Sequence, residues 1–169
     1  MDYSRRGIRK IAINKKLVIS VSLILVLSLI GYLAVSRQTE GRFAVMTLKL
    51  GIENGQLVAC PNRENCRNSD DPQDKFRVPA IGDREGEKWS LIIDVMASLP
   101  RTRLIKQEAD YLHFTQSSKV LRFVDDIEFH NRPESGQIAI RSASRLGYRD
   151  FGVNQARLDE IVKLLKQAE

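Results

Sequence analysis

Nineteen consecutive uncharged residues, Leu17 to Val35 (LVISVSLILVLSLIGYLAV), constrain this chain more than any other feature in it. As a helix rising about 1.5 Å per residue, the run reaches roughly 28 Å, close to the ~30 Å hydrocarbon core of a bilayer. A secretory signal peptide is the competing reading. Its apolar core is about 7–15 residues, shorter than this one, although Ala34 and Ser36 supply a small-x-small pattern. A soluble domain this small seldom buries every side of so long a helix. The expectation is a basic tail at residues 1–16, an uncleaved transmembrane signal anchor at 17–36, a tether at 37–54 and a globular domain at 55–169.

Charge orients the anchor. Arg5, Arg6, Arg9, Lys10, Lys15 and Lys16 precede the run against Asp2 alone, whereas Arg37 and Arg42 beyond it are partly offset by Glu40. The basic flank stays in the cytoplasm, so the tail is inside and the rest is exported. A formal net charge of +6 would admit a nucleic-acid partner. However, residues 1–16 hold six bases and one acid, and the remaining chain has 21 bases against 20 acids. No basic tract with interleaved aromatics follows the anchor. The charge therefore argues for topology and anionic headgroups, not nucleic acid.

The two cysteines, Cys60 and Cys66, both follow the apolar run. In an oxidising compartment their spacing favours a disulfide closing a small loop, a constraint of about 2.4 kcal/mol before strain. A metal site would need further ligands, and neither His113 nor His130 is close in sequence. A redox pair usually shows C-x-x-C, which is absent.

From Gly55 to about Glu85 no period of either kind persists, and Asn54-Gly55, Pro61, Pro72, Pro79 and Gly82 mark the stretch as loop. Loops this long are usually functional or stapled down. Trp89, Ile92, Ile93, Met96 and Leu99 then recur at helical spacing until Pro100. Strands are expected near Arg103–Gln107, Tyr111–Thr115, Leu121–Phe129 and Gln137–Ser144. A hairpin pairing His130 with Gln137 sets Phe129 against Ile138 and Ile127 against Ile140. It also sets Asp125 against Ser142 and predicts an Asp126–Arg141 cross-strand ion pair. A last helix begins with Asn154 as N-cap and carries Leu158, Ile161, Val162, Leu165 and Ala168 on its buried stripe. The fold class is α+β: one domain of order helix-strand-strand-strand-strand-helix, a four-stranded antiparallel sheet with both helices on one face.

These residues also carry a resemblance. Cys60-Pro61 with Asn65-Cys66, Phe123-Val124-Asp125-Asp126-Ile127-Glu128-Phe129, and Arg141-Ser142-Ala143-Ser144-Arg145-Leu146-Gly147 continuing through Asp150, Gly152 and Asn154 occur in order. They resemble the motifs of the family called domain of unknown function fourteen-ninety-nine, from about Gly55 to the C-terminus. Arg67-Asn68-Ser69 departs from the Val-Ser-Ser usual after the second cysteine, so no role carries over for that loop. The resemblance implies an envelope-associated bacterial domain, and with the anchor a single-pass inner-membrane protein whose domain is periplasmic. It brings no activity and no catalytic residues.

No G-x-S-x-G, H-E-x-x-H, P-loop or dinucleotide fingerprint is present, so neither a cofactor nor a metal is expected. Asp125 and Asp126 project to opposite faces of a regular strand and cannot share one substrate. Ser142 and Ser144 lack an obvious base, which a serine nucleophile needs. Arg141, Arg145 and Arg149 recur every four residues and suit an anion such as a phospholipid headgroup or envelope glycan. The ligand-binding corner, if the domain has one, is Asp125, Ser142, Ser144, Arg145, Tyr148, Asp150 and Asn154. The reading this supports is a non-catalytic binding or assembly module with an envelope protein as partner. The alternatives are a lipid- or anion-handling domain and, behind it, a hydrolase using the Asp/Ser cluster.

Overall fold

The computed structural model describes residues 22–33 and 48–168. It divides the chain into two units, Met1–Gln38 and Thr39–Glu169. In the first, residues 22–33 form helix α1, with every described side chain exposed. Among the described residues no helix is long and apolar enough to cross a membrane. Both ends of the Leu17–Val35 run, and the basic tail, lie outside the described residues.

The second unit is α+β. In chain order it comprises β1 (Ile52–Glu53), β2 (Gln56–Leu57), β3 (Cys66–Asn68), β4 (Ile81–Gly82), α2 (Glu87–Ser98), β5 (Thr102–Gln107), β6 (Tyr111–Ser117), β7 (Val124–Arg132), β8 (Gln137–Ser144) and α3 (Val153–Ala168). The main sheet is six-stranded and antiparallel, not four-stranded. The expected strands run β5-β6-β7-β8, and the far edge of β8 is shared by β3 and β4. Both extra strands come from the 55–85 stretch that reads as loop, being too short to show a period. Asn54 and Gly55 both take positive φ in the separate β1–β2 hairpin, as a tight two-residue turn requires.

β7 begins three residues later than its sequence pattern predicts. Leu121 and Phe123 precede it and are exposed. Its pairing with β8 is shifted by two: Phe129 faces Ile140, Ile127 faces Ser142, Asp125 faces Ser144 and Glu128 faces Arg141. A shift of two keeps every side chain on its expected face, so hydrophobic alternation cannot distinguish the registers. The turn decides between them. Pro133–Ser135 form one 3-10 turn and Gly136 closes it at φ +61, which extends the strand to Arg132.

On one face of the sheet, α2 and α3 bury Ile92, Val95, Met96, Leu99, Leu158, Ile161 and Leu165 against Leu112, Phe114, Ile127, Phe129, Ile138 and Ile140. Gly86 before α2 offers no capping side chain. Instead Asp83 accepts the N–H groups of Lys88 and Trp89, both at 3.0 Å. The opposite face is covered by the chain between Leu48 and Val78. Leu57 packs on Tyr111 and Ala139, while Phe76 and the disulfide-bonded Cys60 and Cys66 pack on Ala143. Alanines at 139 and 143 leave room for that cover. The central strands are therefore buried on both sides, which explains how a polar face can lie inside the molecule.

Candidate functional site

The motif residues form two buried polar clusters, one on each face of β7 and β8. On the helix face, Arg157 of α3 reaches down to the sheet. Its Nη2 lies 2.5 Å from Asp125 Oδ2, its Nη1 donates to Ser142 Oγ (2.9 Å) and Asn154 Oδ1 (2.7 Å), and its Nε donates to Gln116 Oε1 (2.6 Å). Burial pushes the Asp125 carboxyl above the usual carboxylate range, against the pull of Arg157 and the Ser144 hydroxyl. Ser142 is fully buried and donates to Asn154 Oδ1 at 2.6 Å.

Asn154 is the hub of this cluster. It does not stand outside α3 as the predicted N-cap but lies within its first turn, with no solvent exposure. Its Nδ2 is 2.8 Å from the Asn65 carbonyl, 3.0 Å from Ser144 Oγ and 2.7 Å from Asp150 Oδ2. Asp150 does the capping, accepting from the backbone N–H of Gly152 (3.0 Å) and Asn154 (2.9 Å). Burial opposes its charge, yet those bonds hold its carboxyl below the ordinary value. Asn65, from the Asn65-Cys66 motif, ties in the preceding loop by donating to the carbonyls of Ser144 and Gly147.

On the other face, Asp126 does not pair with Arg141. Arg145 grips it through Nε and Nη2 at 2.8 and 2.7 Å, and His113 Nε2 stands 2.8 Å from Oδ1. Burial works against the charge of Asp126, but the hydrogen bonds from Arg145 and His113 win and its carboxyl lies below the usual range. Arg141 pairs instead with Glu128, both fully buried, and Glu128 Oε1 also accepts from Tyr111 Oη (2.7 Å) and the Gly51 N–H (2.6 Å). The correction follows directly from the two-residue register shift. Burial and the Glu128 charge drive the Tyr111 hydroxyl far above its ordinary value, so it remains a donor.

The seven expected ligand residues are thus divided. Asp125, Ser142, Ser144, Asp150 and Asn154 meet in one network, Arg145 belongs to the opposite face, and Tyr148 is exposed on the connecting loop. Arg157, Gln116, His113, Glu128, Tyr111 and Asn65 were not legible as members. Two signals could have found some of them: Asn65 and Glu128 stand within the family motifs, and Arg157 is a charged residue next to the buried stripe of an amphipathic helix. Among the described residues no three His, Cys, Asp or Glu side chains gather to hold a metal ion.

Open surface lies elsewhere. A groove of about 690 Å³ runs between α3 and the β4 edge, its apolar walls supplied by Val78, Ile81, Ile140, Leu158 and Val162, with Lys166 and Asp159 also lining it. A second, of about 340 Å³, is bordered by Arg67, Lys75, Phe76, Arg149 and Phe151 beside the disulfide loop. There Arg149 Nε pairs with Glu64 Oε2 at 2.6 Å, and Phe151 is almost wholly exposed at positive φ.

No curated protein and no solved structure matches the chain. A family sequence model does, described as a protein of unknown function (DUF1499) and covering residues 56–165. That span takes in both polar clusters and the disulfide, and the chain belongs to this family.

Proposed function

We propose that this chain is a single-pass protein of the bacterial inner membrane whose periplasmic domain acts as a non-catalytic binding or assembly module. The observation that carries the reading is the fate of the motif's reactive groups. Ser142 and Asn154 are buried and hydrogen-bonded to each other, Arg157 donates to both and to Asp125, and no histidine or carboxylate is among the hydrogen-bond partners of Ser142. A nucleophile needs a base within reach and room for a substrate, and the burial of Ser142 among Asn154 and Arg157 supports a structural role for its hydroxyl. The same groups instead hold the 145–152 loop against the disulfide loop, which supports a recognition surface at Tyr148, Arg149 and Phe151. The uncharged run and its basic flank support the anchor and the orientation.

The test is a photo-crosslinker at Tyr148 in cells. The proposal expects one envelope protein to be captured, with capture lost in the Arg149→Glu, Phe151→Ala double variant. Equal capture by the variant would refute the surface. A C-terminal alkaline phosphatase fusion that is inactive would refute the topology.

A second reading, lipid handling, is favoured by the groove between α3 and β4, whose apolar walls suit an acyl chain. Native mass spectrometry of the detergent-purified chain distinguishes it. A co-purifying lipid displaced by Val162→Trp supports handling, and a ligand-free mass removes it.

A further inference from the structure

The sheet's β5 edge and the loop before β7 carry an exposed apolar patch that the core does not use. Val120, Leu121 and Phe123 are 64%, 50% and 43% exposed. Leu104 and Ile105 are exposed as well, Ile105 standing at the bulge where β5 slips against β6. Lys119 and Arg122 interleave with the loop hydrophobes, and Arg101 and Arg103 flank those of the strand. The two segments are joined: Ser117 N–H donates to the Arg101 carbonyl (3.1 Å), and Arg101 Nε donates to the Ser117 carbonyl (2.8 Å). Residues 101–105 and 117–124 contain four cations and no acid. Arg122 takes φ +57, an uncommon conformation for a side-chain-bearing residue, in the middle of the apolar run.

We propose that this patch docks the domain onto the anionic phospholipid surface of the membrane, with Val120, Leu121 and Phe123 entering the headgroup boundary and the four cations meeting lipid phosphates. Apolar side chains alternating with Arg and Lys are the chemistry of an interfacial contact. Apolar area gives the depth, and cations select negatively charged lipid over neutral lipid. Protein interfaces are depleted of lysine and of charge at their core, whereas here Lys119 and Arg122 sit within the apolar run. The inference rests on the anchored reading above, which brings the domain to that surface.

The full chain with Leu121→Cys, reconstituted in vesicles, tests it. The native cysteines are joined to each other, so the introduced thiol alone takes an environment-sensitive dye. Vesicles rich in phosphatidylglycerol, or made of phosphatidylcholine alone, carry a nitroxide near the headgroup. Glu134→Cys, at the opposite end of β7, is the control. The expected result is strong quenching at 121 and little at 134 in the anionic vesicles. It should fall in phosphatidylcholine, in high salt and in the Lys119→Glu, Arg122→Glu background. Quenching at 121 no greater than at 134 overturns the proposal, as does equal quenching in both lipids. Self-quenching between labelled chains without nitroxide quenching also overturns it, pointing to a second copy at the β5 edge. Flotation reads the anchor separately: a chain that floats without quenching at 121 refutes the docking alone, and one that fails to float refutes both.

Discussion

At the scale of single residues, the polar side chains of the motifs act as structural parts whose removal has a sign. Arg157 neutralises Asp125 in a nearly dry setting, so Arg157→Met leaves a buried carboxyl without its partner. Breaking a buried pair from one side costs about 3–5 kcal/mol. Urea unfolding should show a loss of that size, and adding Asp125→Asn should recover part of it, since the amide carries no charge to strand. Asp126 gives a pH dependence. Its folded value lies below the ordinary carboxylate range, so its contribution is fully present above about pH 4 and is lost as pH falls through the lowered value. Asp126→Asn should therefore flatten the acid limb of a stability-against-pH curve measured between neutrality and about pH 3. An unchanged limb would show that other carboxylates set it.

Elements carry the lesson about how far a sequence can be read. Gln137–Ser144 is legible because Ile138 and Ile140 alternate within a run bounded by Gly136, and that is the strand observed. Its neighbour is legible over Val124–Phe129 but not at its start, because Leu121 and Phe123 imitate a strand while lying exposed in the preceding loop. The register is lost for a related reason: matching apolar to apolar residues favours His130 opposite Gln137, and the shifted pairing preserves the same faces. Only the backbone of the 133–136 turn separates the two, and its key position makes a prediction. A Cβ on Gly136 would sit 3.0 Å from Arg84 Cγ and 3.2 Å from Arg84 Cα, at φ +61. Gly136→Ala should lower stability by about 1–2 kcal/mol, the usual cost of a left-handed backbone for a side-chain-bearing residue. The cover over the second face is illegible for another reason, since its strands are two or three residues long. What the sequence does offer there is the cysteine pair. Reducing Cys60–Cys66 should lower stability by about 2.4 kcal/mol, read as a shift in urea midpoint with and without reductant.

For the whole molecule, the proposed anchor at Leu17–Val35 precedes a domain whose polar motifs hold its layers together. Asn154 ties α3 to β8 and to the loop at Asn65, so a single side chain connects the helix layer, the sheet and the disulfide cover. Asp125, Ser142 and Ser144 keep the shared face expected of them because a register shift of two preserves it, and Asp150 and Asn154 join them from the loop and the first turn of α3. Their role is set by Arg157, whose reach from α3 down to Asp125 and Ser142 leaves no mark on alternation. We infer that these residues hold structure and do not serve a ligand. Equilibrium urea unfolding of the full chain in detergent, wild type against Asn154→Ala, tests it most directly. The buried partners left unsatisfied predict a loss of about 3 kcal/mol. An unchanged midpoint, with envelope-protein capture at Tyr148 abolished, would contradict it.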